Sequence, residues 1–362
     1  MNVALVTGFG VKGLPPKLGT TPYDNWLLMY AHMFPDHDTH LVHPWHAEEH
    51  LRERPTDLCL IHTTALLDDT TATLRWARAL TEIPLAERPV VALLGSDPPG
   101  GWLHWGAATV EVMLALMSTV DVVCERVSGH VGMTEALTDT PVEWVREPSN
   151  SATYVDHDTD PSGRYWLLVP RAVSNQGVWS RAAVLNYAVA KRVGEILPPV
   201  RLGVIHSWGL DINAEMAVQR ELGVLMDLSH PGHDGAWGPW VPTEPEFREH
   251  LGVRLRKARA VVNLDMTTAV GHWQVDTASY GVPAVVGGTT GAGPELYGST
   301  TVWQPHDVKQ AVELVVALFA DDGLWLDVSR AAKAGTAPYA ASAVGARFSE
   351  VAGKVREGAY SA

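Results

Sequence analysis

The stretch RAVVNLDMTTAVGHWQVDTASYGVPAVVGGTTGAGPELYG, from Arg259 to Gly298, packs two strand signatures around one helix signature. RAVVNLD is an apolar run of strand length that ends in a polar loop. An amphipathic pattern carrying Asp276 follows, and Tyr280-Gly281-Val282-Pro283 punctuates it before PAVVGG, a second apolar run. A glycine-rich loop then leads to Glu295. Strands without polar alternation, joined by a helix, belong in a parallel sheet covered on both faces.

Outward from this segment the same alternation fills the chain. VALVTG, THLVHP, LCLIHTT, VVALLGS, VDVVCER and VEWVRE read as strands of a first half, and RYWLLVPR, VRLGVIHS, VLMDLS, RAVVNLD, PAVVGG and TTVWQP as strands of a second. Helices are expected from Trp179 to Ile196, Asn213 to Leu222, His272 to Tyr280, Asp307 to Phe319, and from Pro338 to about Arg356. The polar stretch from Asp156 to Gly163 reads as a linker. The expected fold class is α/β, with two Rossmann-like halves and functional loops at the carboxyl ends of the strands.

The chain has 362 residues, 46% hydrophobic and 19% charged, which is the balance of a fully folding globular protein and excludes small disulfide-stapled scaffolds. Its formal net charge is −14. Up to Asp160 there are 9 Lys+Arg against 22 Asp+Glu, while the remainder holds 18 against 19, so one half carries nearly all the acid. That opposes a surface built to grip phosphate backbones. Cys59 and Cys124 lie in apolar runs and read as reduced core thiols. No basic leader precedes the first apolar run and no stretch approaches a membrane span, so a cytoplasmic protein without a membrane span is expected.

Several motifs weaken on inspection. Gly8-Phe9-Gly10-Val11-Lys12-Gly13 opens like a dinucleotide loop, yet Leu14-Pro15-Pro16 stands where the helix should begin, and no acidic residue closes the second strand. A ligand-cleft loop with Lys12 and Lys17 as contacts remains, beside the plainer reading of a tight strand exit. Asp36-His37-Asp38 and Asp156-His157-Asp158 spell D-x-D, but both fall in connections and read as solvated turns. The histidines at 37, 40, 43 and 46 suit a partly exposed strand better than a ligand set, so no metal site is expected. Asp97 in LLGSDPP sits where a general base belongs, and is equally suited to starting a turn. His62, ending LCLIH, is the second catalytic candidate, against a satisfied rim histidine. Arg171 and Arg181 flank a Ser/Asn/Gly turn before a helix and make a plausible diphosphate cradle.

At ARAVVNLD, GVPAVVGG and Pro294-Glu295 the sequence resembles the nucleotide-sugar-dependent glycosyltransferases of the GT-B fold, whose parallel sheets face an interdomain cleft. The resemblance implies that Asp276 holds the ribose hydroxyls, that Gly271, His272 and Trp273 face the donor diphosphate and sugar, and that Trp240 stacks on the base. The first acidic position of that family falls here on Thr268, and its lysine position on Gln176. Arg171 matches the family's basic residue. Phage DNA β-glucosyltransferases are similar in layout, place a second arginine where Arg181 stands, and carry an aspartate base in a setting like that of Asp97. Gly10, Lys12 and Glu295 complete the implied donor contacts.

The expected organisation is an acceptor domain over 1–160, a donor domain over 161–336, and a tail helix over 337–362 crossing back. The expected function is metal-independent transfer of a sugar from a UDP- or GDP-type nucleotide sugar, a co-substrate and not a cofactor, to a hydroxylated small molecule. Hydroxymethylated phage DNA is the alternative acceptor. A nucleotide-sugar 2-epimerase and a non-catalytic nucleotide-sugar binding protein are the alternative functions.

Overall fold

The computed structural model describes residues 1–7, 33–34, 38–62, 65–95, 107–149, 151–152, 159–170, 183–205, 212–224, 252, 254–266 and 270–360. The chain divides into two compact units, one formed by Met1–Pro148 with Pro338–Ala362 and the other by Ser149–Ala337.

In the first unit, β1 (Asn2–Val6), β2 (Asp38–Val42), β3 (Leu58–His62), β4 (Val90–Leu94), β5 (Val122–Glu125) and β6 (Val142–Trp144) form one parallel sheet in the order β2-β1-β3-β4-β5-β6. The period-2 geometry of a strand divides its apolar residues between two buried faces. Val3, Leu5, Leu58, Leu60, Val90, Ala92, Leu94, Val122 and Cys124 point to one core. Ala4, Val6, Cys59, Ile61, Val91, Leu93 and Val123 point to the other. Helices α1 (Ala47–Glu53), α2 (Ala65–Thr81), α3 (Ala107–Met117) and α4 (Val131–Glu135) lie along this sheet in sequence. Trp76 and Ala77 of α2 and Met113, Leu116 and Met117 of α3 cover the second face.

At the amino edge of this sheet Arg88 makes a two-pronged ion pair with Asp121 at 2.5 and 2.7 Å, and Asp121 also accepts from Val91 N–H at 2.8 Å. That pair aligns β4 with β5. Of the four closely spaced histidines, His40 lies in β2, while His43 and His46 bound a 3-10 turn at Pro44–His46, so the expected histidine strand is shorter than its sequence suggested. His37 lies outside the described residues.

In the second unit, β7 (Trp166–Pro170), β8 (Arg201–Ile205), β9 (Ala258–Asn263), β10 (Ala284–Gly287) and β11 (Thr301–Val302) form a parallel sheet ordered β11-β10-β9-β7-β8. The described helices are α5 (Ala183–Ile196), α6 (Ile212–Leu222), α7 (His272–Ser279), α8 (Ala292–Tyr297), α9 (Val308–Ala320) and α10 (Asp322–Gly335). β9 and β10 are buried along their whole length, as their unbroken apolar runs require. Asp307 and Asp321 cap α9 and α10, accepting from Gln310 N–H at 2.9 Å and Leu324 N–H at 3.0 Å.

The last helix, α11 (Ala341–Arg356), belongs to the first unit. Its buried residues Val344, Phe348, Val351 and Val355 recur at helical spacing and fill the first face of the six-stranded sheet. Each large side chain buried in this way contributes roughly 1.5–3 kcal/mol. On its flank, Arg347 and Lys354 converge with Tyr360 on Glu143 of the edge strand β6. Burial pushes the Glu143 carboxyl up, but those three partners outweigh it and hold the group below its usual range.

Candidate active site

At the carboxyl ends of β9 and β10 the backbone runs unusually close to itself. A Cβ on Gly287 would stand 2.6 Å from the Asp265 carbonyl oxygen, so only glycine lets the end of β10 pass the exit of β9. Thr289 donates its hydroxyl to the same carbonyl at 2.8 Å, and Asn186 of α5 accepts from Leu264 N–H at 2.8 Å. Gly271 then takes the left-handed conformation, φ 88°, and opens α7. Ala292 N–H at the start of α8 donates to Val270 O at 2.9 Å, which ties the two loops together.

From this turn α7 presents His272, Trp273 and Asp276, all half-buried. His272 and Asp276 are four residues apart, hence on one face. Burial raises the Asp276 carboxyl above its ordinary value, while hydrogen bonds donated by Ser151 and Ser149 and the charge of His272 pull it down. Burial also raises the Tyr297 hydroxyl, with the Asp276 charge adding to it, and that hydroxyl donates to Val282 O at 2.9 Å. Gln274, fully buried at the first turn of α7, donates to Thr290 Oγ1 at 3.4 Å and so bridges the Gly271 and Thr290 loops. Glu295 is exposed and lies within α8, where the sequence suggested only the end of a loop.

In the first unit His62 ends β3 and is fully buried. Burial depresses its imidazole to about 3, with Arg126 adding to the effect and Glu147 opposing it. The ring is neutral at any ordinary pH. Around it the ends of β4 and β5 bring together groups that the sequence reading passed over. Arg126 donates through Nε to the Gly95 carbonyl and pairs through Nη1 with Glu147 at 2.5 Å, both side chains being almost wholly buried. Glu125 accepts from Thr134 Oγ1 at 2.6 Å, and burial raises its carboxyl. A Cβ on Gly95 would lie 2.7 Å from that carboxylate, which explains glycine at the strand exit just before Ser96-Asp97.

The structure therefore brings together Gly271, His272, Trp273 and Asp276 at one edge of the second sheet, and places His62 at the corresponding edge of the first. Asp97, Gly10, Lys12, Lys17, Arg171, Gln176, Arg181, Trp240 and Thr268 lie outside the described residues. Ser149 and Ser151 as partners of Asp276, and the Glu125, Arg126 and Glu147 group, were not singled out from the sequence. The one signal for the latter was the adjacent Glu-Arg pair closing an otherwise apolar strand. Cys59 and Cys124 are buried free thiols, and burial pushes Cys59 up to about 12. Among the described residues no group of His, Cys, Asp and Glu could hold a metal ion, and no helix is long and apolar enough to cross a membrane.

Two parallel α/β sheets of six and five strands, together with the likeness to the solved structures below, define the class: the chain has the GT-B fold. Among solved structures it is similar to the N-terminal domain of Candida albicans trehalose-6-phosphate phosphatase, at TM-score 0.66 and 11% identity over 98% of this chain and 96% of that one. It is also similar to an E. coli trehalose-6-phosphate structure bound with UDP-2-fluoro glucose, at TM-score 0.63 and 9% identity over 97% and 99% of the two chains. A third is the UDP-forming alpha,alpha-trehalose-phosphate synthase of Burkholderia xenovorans in complex with glucose-6-phosphate, at TM-score 0.59 and 12% identity over 98% and 100%. No protein-family profile and no curated protein matches the sequence.

Proposed function

We propose that the protein is a glycosyltransferase that moves a sugar from a nucleotide-diphosphate sugar of UDP or GDP type to the hydroxyl of a small, polar acceptor of the sugar or sugar-phosphate class. The observation that carries this reading is the likeness, over nearly the whole of both chains, to structures that hold UDP-2-fluoro glucose and glucose-6-phosphate. The left-handed Gly271, the closely approaching loops and the His272–Asp276 face support it, because a diphosphate needs backbone N–H groups and room beside them.

In this reading the donor lies at the carboxyl edge of the second sheet. Asp276, steadied by Ser149 and Ser151, accepts from the ribose hydroxyls, with Gly271, His272 and Trp273 beside the diphosphate and Gly10, Lys12, Gln176, Thr268 and Glu295 as further contacts. Trp240 stacks on the base. Arg171 and Arg181 neutralise the charge that grows on the leaving diphosphate, so the reaction needs no metal and no resident cofactor. The acceptor O–H gives its proton to Asp97 as its oxygen bonds to the anomeric carbon, and the bond from that carbon to the diphosphate breaks. In this reading His62, buried and weakly basic, supports the end of β3 and leaves the role of base to Asp97.

A thermal-shift panel of nucleoside diphosphates and nucleotide sugars tests the donor half of this reading. At about 100 times its dissociation constant a ligand stabilises by about 2.7 kcal/mol, which is a clear rise in Tm. No shift with any nucleotide overturns the reading. A shift should be followed by turnover with sugar or sugar-phosphate acceptors that Asp97→Asn abolishes. Consumption of donor without acceptor would instead indicate epimerisation or hydrolysis.

A further inference from the structure

The geometry points to a second ligand site on this protein, a surface site for neutral carbohydrate built on Trp303 and separate from the donor site. Trp303 follows β11, the edge strand of the second sheet, with β10 lying between it and β9. At 66% it is the most exposed large hydrophobic side chain among the described residues. It is nevertheless held in place. A Cβ on Gly288 would come within 2.7 Å of the indole Cε3 and 3.2 Å of the Trp303 Cα, so the ring rests directly on glycine backbone. Gly288 N–H donates to Val302 O at 3.1 Å and fixes that floor. The indole is seated at its Cε3 edge and remains largely open to water.

Around it lies an open depression of about 460 Å³ lined by Trp303, Gln304, Asp307, Lys309, Gln310 and Glu313. That volume falls in the range of small-molecule sites, roughly 300–1,000 Å³. Every lining residue except the tryptophan is a hydrogen-bonding or charged side chain. Asp307 is fixed by accepting from Gln310 N–H at 2.9 Å, and Lys309 approaches Glu313 at 3.8 Å.

Three ligand classes would use an exposed indole, and the rim separates them. A protein partner would seat the aromatic anchor in a dry apolar patch, and among the described residues lining the depression no other is apolar. A polyanion such as nucleic acid or an acidic glycan would meet Asp307 and Glu313 with Lys309 alone among the described lining residues to offset them. A neutral pyranose fits both parts: its C–H face carries the slight positive charge that the negative face of an aromatic ring attracts, and its hydroxyls reach outward to amides and carboxylates. The occupant is therefore a neutral sugar chain or its end. This does not depend on the donor reading: Gly288, the floor of the ring, adjoins Gly287 and Thr289 of the donor-side loop, but the side chains that line the depression include none of Gly271, His272 or Asp276.

Native gels cast with a soluble neutral α-glucan, β-glucan or galactomannan, and a control gel with an acidic polysaccharide, provide the test on the full chain. The expected result is retarded migration in at least one neutral gel. Trp303→Ala should weaken that retardation at least tenfold, Trp303→Phe should keep part of it, and nucleotide-induced thermal shifts should stay unchanged in both variants. Retardation in none of the neutral gels, retardation equally strong for Trp303→Ala, or retardation confined to the acidic gel overturns the proposal. So does a change of elution volume on Trp303→Ala without a change in gel mobility, which identifies a protein contact.

Discussion

The carboxyl edge of the first sheet carries a buried, paired arginine and glutamate beside a second glutamate, whereas the described carboxyl edge of the second carries glycines, threonines, a glutamine and the carboxylates of Asp265 and Asp276, with Glu295 exposed beyond them. Glu125, Arg126 and Glu147 are nearly inaccessible to water; Arg126 pairs with Glu147, and Glu125 accepts from Thr134. On the second edge only Asp276 bears a formal negative charge inside the α7 turn, and serines hold it. An edge with settled charges resists further ones, while an edge of bare backbone and hydroxyls is open to a charged ligand. The difference fits the proposal that the nucleotide diphosphate binds the second unit and an uncharged hydroxyl the first.

The strongest way to break this contrast is Arg126→Met, which leaves Glu147 buried without its partner and should cost about 3–5 kcal/mol in urea unfolding. Arg126→Met with Glu147→Leu should recover most of that loss, since removing both charges removes the penalty. A double variant as unstable as the single would mean that the arginine works through packing or its bond to Gly95, and not through charge. Next in size is Gly271→Ala. The new Cβ would sit 2.8 Å from Gln274 Oε1 on a residue with φ 88°, at a cost of roughly 1–3 kcal/mol in thermal unfolding. It should also abolish the nucleotide-induced shift, and an unchanged shift would remove Gly271 from the donor site. Ser151→Ala, which takes one donated hydrogen bond from Asp276, should cost about 1 kcal/mol.

The smallest effects, on pH dependence, have opposite sign in the two units. Asp276 is raised above its ordinary value near 3.8, so its contribution is complete below that pH and is lost as pH rises through the folded value. Asp276→Asn should flatten that decline. Glu143 is held below its ordinary value near 4.5, so its contribution is complete above that pH and is lost as pH falls through the folded value. Glu143→Gln should remove that acid sensitivity. Tm against pH for both variants, between about pH 3 and 6, gives slopes whose signs must differ from wild type in opposite directions.

The central strands were visible in the sequence as apolar runs, because a parallel sheet covered on both faces leaves no polar alternation there, while the edge strands β2 and β6 mix polar and half-buried residues. The expected strand VLMDLS lies, after Val224, outside the described residues. Helices with strong caps or a clean period, such as α9 and α11, were legible for the same reason. The short α8 was read as loop because Gly291, Gly293 and Pro294 argue against a helix, and the contacts of Leu296 and Tyr297 with the core override that. The polar site was less legible. Asp276, His272 and Gly271 stood in a recognisable pattern, but Ser149 and Ser151 lie far from them in sequence, and nothing local marks a serine as the partner of a distant aspartate. Glu147 pairs with Arg126 across the end of β6, a neighbour relation that exists only once the strand order is known.

The placement of α11 sets a timetable. The first unit is interrupted by the whole of Ser149–Ala337, and the face of its sheet formed by Val3, Leu5, Leu58 and Leu60 is covered by Val344, Phe348 and Val351. At about 5–20 residues per second, that apolar face waits on the ribosome for roughly 10–40 s after β6 is made before its lid emerges. The second unit is contiguous and meets no such delay. The half of the protein that is synthesised first is thus the last to be sealed, and in that interval it is a natural client for chaperones.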